Sequence, residues 1–237
     1  MAKIATLIDD FASGSKNTAK WKATPDLLGH NAFDTLGDTS TQSGGKLILS
    51  TTDSVQCTGA YSSNDTTLDL TSSAAYFEIT DPPIVQSEFC FNISDPAMGP
   101  GGSGAMVFWR LLYDGTNYTL NAECNFFGTG GVPYSATFSP TAHRWLRIRD
   151  DGTDIYWETS PDGSAWTIRR AMSAGASPPS YYAFTSAACG LYLNNYSSPA
   201  KIGVSMGVDN FNTVSAPAPP PPPPPPVSYP IRSEMYF

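Results

Sequence analysis

Basic residues are scarce in this sequence: 13 lysines and arginines serve 237 residues, and the formal charge is -8. A broad phosphate-neutralising surface is therefore excluded, and with it nucleic acid as a partner. No apolar run approaches the roughly 18 residues of a membrane helix, so no membrane insertion is expected. The start, Met1-Ala2-Lys3-Ile4-Ala5-Thr6-Leu7-Ile8-Asp9-Asp10, is interrupted by acids before a secretory core can form. The expectation is a chain made and kept in a cytoplasm unless it leaves inside a particle. The four cysteines, Cys57, Cys90, Cys124 and Cys189, are widely spaced without a C-x-x-C pair. That excludes a zinc ribbon or a thioredoxin-type site and favours buried thiols. Helical periodicity is missing from every segment of ten residues or more, and no internal repeat is present.

What the chain has in quantity is glycine (20), proline (21) and aromatic residues (12%), a composition of strands and turns. In Glu88-Phe89-Cys90-Phe91-Asn92-Ile93, the residues Phe89, Phe91 and Ile93 share one face and Glu88 and Asn92 the other, the alternation of a half-buried strand. Tyr76 to Thr80 alternates likewise before Asp81-Pro82-Pro83 breaks it. Ala105 to Tyr113 is apolar on both faces apart from Arg110, which predicts a central strand paired through Asp114-Gly115 with Asn117 to Asn125. Arg144 to Arg149 turns at Asp150-Asp151-Gly152 into Asp154 to Thr159, and Ser160-Pro161-Asp162-Gly163 leads to Trp166-Thr167-Ile168-Arg169. Two more strands are predicted at Ala188 to Asn194 and Lys201 to Phe211. The sequence thus predicts an all-β, antiparallel two-sheet β-sandwich over residues 1–215.

After Ser215 the composition changes. Residues 216–226, including eight consecutive prolines from Pro219 to Pro226, suit neither sheet nor helix interior and read as a polyproline spacer. At about 3.1 Å per residue the eight would span roughly 25 Å. Residues 227–237 follow as a C-terminal docking peptide, with Tyr229, Ile231, Met235, Tyr236 and Phe237 as anchors. Together they form an extended proline-rich arm.

The stretch from His143 to Thr167, with Trp145-Leu146-Arg147-Ile148, Tyr156, Ser160-Pro161-Asp162-Gly163 and Trp166, resembles the paired hairpins of concanavalin-A-like (laminin-G-like) jelly rolls. Leu7-Ile8-Asp9-Asp10-Phe11 near the start is similar to Gly207-Val208-Asp209-Asn210-Phe211 near the end, as the resemblance implies for jelly rolls whose first and last strands lie side by side. Jelly rolls of this kind occur as glycosidases, lectin-like modules and appendages of bacteriophage tails. With the proline spacer and aromatic terminal peptide, the chain looks most like a bacteriophage minor tail protein. The expected function is that of a virion structural protein in multiple copies per particle, assembled in the host cytoplasm. Its arm would bind other virion proteins, and its sandwich would adhere to host cell-wall glycan. The alternatives are a bacterial carbohydrate-binding module or glycan-active enzyme, and a ligand-free capsid or tail decoration protein.

Chemistry is expected to be sparse. Catalytic jelly rolls resembling this one carry their carboxylates on one strand as E-x-D-x-x-E or E-x-D-x-E. The five glutamates here, Glu78, Glu88, Glu123, Glu158 and Glu234, form no such cluster, so no enzyme is expected and no catalytic residue is assigned. Glu123 with Glu158 could meet across neighbouring strands, but both are read first as residues of solvated strand faces. The histidines, His30 and His143, lie in loop-like sequence without a nucleophile motif. Aspartates gather in turns, at Asp150, Asp151, Asp154, Asp9 and Asp10, without EF-hand spacing; no metal site is assigned, and calcium is the only cofactor they leave open. Sugar binding is the expected surface activity, with Arg110, Glu123, Arg147, Arg149 and Tyr156 pointing away from the apolar faces of their strands. Trp109, Trp157 and Trp166 are expected in the core.

Overall fold

A computed structural model describes residues 1–26, 35–53, 56–96, 104–126, 129–173, 182–195 and 203–213. Within them the chain runs through β1 (Thr35–Leu36), β2 (Thr41–Ser43), β3 (Lys46–Ser50), β4 (Cys57–Ser62), β5 (Ser73–Asp81), β6 (Ser87–Ser94) and β7 (Ala105–Tyr113). It continues through β8 (Tyr118–Phe126), β9 (Thr129–Thr137), β10 (Trp145–Asp150), β11 (Asp154–Ser160), β12 (Thr167–Ser173), β13 (Ala188–Asn195) and β14 (Ser205–Asp209). Two seven-stranded sheets result, ordered β1-β4-β13-β6-β7-β8-β9 and β12-β11-β10-β5-β14-β3-β2. Every pairing is antiparallel except the short β1–β4 contact. This is the concanavalin-A-like jelly-roll sandwich. The proline-rich arm, with Tyr229, Ile231, Met235, Tyr236 and Phe237, lies outside the described residues, as does His30.

The alternation in the sequence sets which side chains fill the space between the sheets. Phe89, Phe91 and Ile93 of β6 and Phe77 of β5 are fully buried there, and Phe77 meets Phe91 edge to face with ring centroids 5.0 Å apart. Two tryptophans tie the layers reciprocally. Trp109 of β7 donates its indole N–H to the Arg147 carbonyl of β10 at 3.0 Å, and Trp157 of β11 donates to the Phe108 carbonyl of β7 at 2.9 Å. A buried indole N–H without an acceptor is costly, so each tryptophan fixes the spacing of the opposite sheet as well as filling the core.

The three predicted hairpins form at their Asp-Gly turns. The Asp114 carboxylate accepts from Thr116 and Asn117 N–H at 2.8 and 2.7 Å. The Asp162 carboxylate accepts from Ser164 and Ala165 N–H, both at 2.9 Å. Gly163, at φ +76°, lies so close to Trp145 that an added Cβ would meet the indole at 3.0 Å, so this position excludes side chains on two counts. The similar ends of the chain do meet, but through one bridge. Asp9 and Phe211 exchange backbone hydrogen bonds at 2.9 and 2.8 Å. The Leu7–Phe11 stretch is not a strand, because Phe11 turns to φ +50° and its N–H bonds the Asp9 carboxylate. The last strand is also shorter than predicted, at Ser205–Asp209.

Candidate functional site

Each sheet has an outer face, and charged residues gather on both. On the first sheet, Glu88 of β6, Arg110 of β7 and Glu123 of β8 form a row. Arg110 pairs with Cys90 on one side and with Asn121 on the other in the strand register, which places its guanidinium between the two carboxylates. Arg110 Nη1 is 3.9 Å from Glu88 Oε2. Its Nε is 2.8 Å from Glu123 Oε1 but out of hydrogen-bonding alignment, so both atoms lack a formed hydrogen bond among the described residues. Around this row lie the amides Asn92, Asn121 and Asn194, with Ser94, Thr58, Cys90, Tyr192, Met106 and Phe108 beside them. Thr58 donates to the Asn194 amide oxygen at 2.5 Å, Cys90 to Glu88 at 3.4 Å, and Tyr192 to the Asp26 carbonyl at 2.9 Å.

This face is unusual in being polar and yet buried. Asn121, Glu123 and Ser94 are 4%, 7% and 0% exposed. Two of its buried polar atoms, Ser94 Oγ and Asn121 Oδ1, have no hydrogen-bond partner among the described residues, and two more, Arg110 Nε and Glu123 Oε1, face each other as an ion pair without hydrogen-bond alignment. Folded proteins rarely leave such atoms unmet unless a ligand or water meets them. Burial pushes the Glu123 carboxyl above the usual range; the nearby Arg110 charge opposes this and Glu88 adds to it. Local strand geometry contributes as well. The β8–β9 register slips between Ala122 and Cys124, a bulge centred on Glu123 of the kind that re-aims a side chain.

The second sheet's outer face is built from the same residue types but closed on itself. Glu158 of β11 accepts from Arg147 Nε at 2.5 Å and from Arg149 Nε at 3.3 Å. Arg147 stacks over the Trp166 ring at 4.0 Å and Arg149 over the Tyr156 ring at 4.1 Å. Tyr156 in turn donates to Asp151 at 2.9 Å. Among the described residues, no buried side-chain atom of this face is left without a partner.

The five residues expected to bind sugar therefore divide. Arg110 and Glu123 lie together on the first sheet, and Arg147, Arg149 and Tyr156 lie on the opposite side of the sandwich. Glu123 and Glu158 do not meet, because β8 and β11 belong to different sheets; the carboxylate near Glu123 is Glu88, across Arg110. Trp109 and Trp157 are in the core, but Trp166 is not. The Ser160–Gly163 turn folds it onto the outer face, against Arg147 and Tyr76, with ring centroids 5.9 Å apart. His143 is a turn histidine, but a buried one. Its Nδ1 accepts from Ser139 N–H at 3.0 Å, and burial and the nearby Arg169 charge lower its pKa. The Asp151 carboxylate is taken up by its turn, accepting from Thr153 and Asp154 N–H, and Asp9 accepts from Phe11 N–H and Trp21 Nε1. The four cysteines are buried and unjoined. Glu88, Asn92, Asn194 and Phe108 were not singled out as site residues in the sequence; the alternation of β6, β13 and β7 was the available signal.

A cleft of about 300 Å³ opens elsewhere, between Ile79, Thr80, Pro82, Pro140, Thr141, Arg144 and Pro161. It holds no pair of acids, and Arg144 is already bonded to Glu78.

No protein-family model and no curated protein matches the sequence. Solved structures do match the fold. An endo-acting O-glycanase of the human gut microbiota, from work on mucin breakdown, is 13% identical with a TM-score of 0.60, covering 85% of this chain and 95% of its own. Laminarinase from Flavobacterium sp. UMI-01 is 7% identical with a TM-score of 0.61, covering 86% and 96%. SCLam, a non-specific endo-beta-1,3(4)-glucanase from family GH16, is 9% identical with a TM-score of 0.60, covering 86% and 88%. At these identities the likeness establishes the jelly-roll fold. It also corrects two expectations. These neighbours are named as glycan-cleaving enzymes and not as virion proteins, which tells against the expected bacteriophage minor tail protein and against the expectation of no enzyme. Among the described residues, no helix is long and apolar enough to cross a membrane.

Proposed function

We propose that this protein is a glycan-active enzyme that cleaves a glycosidic bond on the outer face of the first sheet, with Glu123 as proton donor and Glu88 as the second carboxylate. One observation carries this reading. Buried polar atoms without a formed hydrogen bond gather beside a pair of carboxylates that flank one guanidinium. Glycoside hydrolysis needs two carboxyl groups in different protonation states across the scissile bond. Burial holds Glu123 toward its protonated form, suited to giving its proton to the leaving oxygen as the C–O bond breaks. Glu88, as carboxylate, then either bonds the anomeric carbon directly or takes the proton of an attacking water. Arg110 balances the charge of the pair, Asn121 and Asn194 are placed to read sugar hydroxyls, and the half-buried Phe108 offers a ring to a pyranose face.

Strand β8 presents Asn121, Glu123 and Asn125 at alternate positions, the spacing of E-x-D-x-E with amides at both ends. Hydrolysis here thus requires a carboxylate from another strand, which Glu88 supplies. The experiment is reducing-end release from a panel of purified polysaccharides by wild type, Glu123→Gln and Glu88→Gln. Release by wild type that both variants lose is expected. A wild type that releases nothing, or variants that cleave normally, would sink the proposal.

A further inference from the structure

Arg170 is a cation buried between the two sheets, 9% exposed, and its position on β12 places it beneath β8. Its Nη1 donates to the Ala122 carbonyl at 3.0 Å, its Nη2 to Cys124 Sγ at 2.9 Å, and its guanidinium lies 4.4 Å over the Trp157 ring. Among the described residues its acceptors include no carboxylate. Burying a cation this way is expensive, and a leucine or methionine would fill the same space. What the arrangement achieves is local. Ala122 and Cys124 are the residues on either side of Glu123, and between them the β8–β9 ladder slips: Ala122 faces Tyr134 while Cys124 faces Gly131. The extra length of β9 there includes Pro133, which has no N–H to give. The β8 segment around Glu123 thus loses regular support from β9 and receives two bonds from the opposite sheet, one to the Ala122 backbone carbonyl and one to the Cys124 side chain.

We infer that Arg170 is a positioning residue for Glu123, gripping β8 on both sides of the bulge and setting its charge environment from behind. This rests on the reading of Glu123 as the proton donor. The titratable and charged groups facing Glu123 are Arg110 from β7, Glu88 and Cys90 from β6, and Arg170 from β12; β9 contributes no charged residue. Arg110 and Arg170 favour its ionised form, and burial and Glu88 oppose it.

The test uses Arg170→Met and Arg170→Lys in the full chain, with two readouts: the pH profile of glycan cleavage, and the NMR titration of the Glu123 carboxyl, which needs no activity. In Arg170→Met the Glu123 titration and the alkaline limb of the profile move to higher pH, and kcat falls roughly ten- to hundredfold with KM unchanged, as expected for a displaced acid. Arg170→Lys restores the position of the limb through its charge but recovers kcat only in part, since an ammonium cannot make both forked contacts. If the methionine variant does not fold, the lysine variant decides by the same split. A Glu123 titration and pH profile unmoved in folded Arg170→Met, or a wild-type kcat in Arg170→Lys, overturn the inference, whatever happens to Tm. If the wild type cleaves no glycan, the proposed reaction fails, and the NMR titration alone still decides the role of Arg170.

Discussion

The two outer faces of the sandwich carry the same chemical vocabulary, arginine, glutamate and aromatic rings, to opposite ends. On the second sheet Glu158 is held by two arginines, each arginine lies over a ring, and the network is closed. On the first sheet a single arginine stands between two glutamates, and polar atoms sit buried without partners. A closed network stabilises the fold, whereas an open one gives up stability to keep groups ready for a ligand. Residue type alone would have ranked the two faces equally.

The largest expected effect separates them by function. Glu123→Gln should lower glycan cleavage by about 10²- to 10⁴-fold, the usual worth of a placed general acid, with reducing-end assays as the measurement. Glu158→Ala should leave the cleavage rate unchanged while costing about 3 kcal/mol in urea unfolding, because Arg147 and Arg149 lose their shared acceptor and Glu158 is only 3% exposed. A reversal, with the Glu158 variant inactive and stable, would move the site to the other face. Smaller again is Trp166→Ala, expected to cost about 1 kcal/mol through the lost stack with Arg147, without effect on cleavage.

How far the sequence could foresee this follows from the range of each signal. Strand alternation and Asp-Gly turns are local, so β6, β7, β8, β10 and β11 were legible to within a residue or so. The short strands β1 to β4 carry weaker signals; Cys57–Ser62 is buried at every position and shows no alternation at all. Which strands share a sheet is not local. Glu123 and Glu158 both sit on well-predicted strands, yet the order β7-β8-β9 in one sheet and β10-β11-β12 in the other puts them on opposite sides. Glu88 and Glu123 are brought into reach of one guanidinium by the intervening strand, a relation that no motif spacing encodes. The core expectation for Trp166 fails because the Pro161-Asp162-Gly163 turn, and not its hydrophobicity, decides its face.

The finest contrast between the faces is in how stability responds to pH. Asp151 and Asp162, in the turns bordering the second face, are held well below their ordinary value of 3.8, first by N–H bonds from Asp154 and Ala165 respectively. Their stabilisation is present above that value and is lost as pH falls below it. Glu123 has the opposite sign: its carboxyl is raised above the ordinary 4.5, with burial the main cause, so its favourable contribution is present below that value and is lost as pH rises through the raised one. Glu123→Gln removes only this second dependence. The Tm difference, variant minus wild type, should therefore grow more positive as pH rises above the ordinary 4.5, while the deficit of Asp162→Ala is already developed there and shrinks as pH falls below 3.8. A flat difference for the Glu123 variant would mean that the carboxylate is as well accommodated in the fold as in water, and the distinction between an open and a closed face would lose its energetic basis.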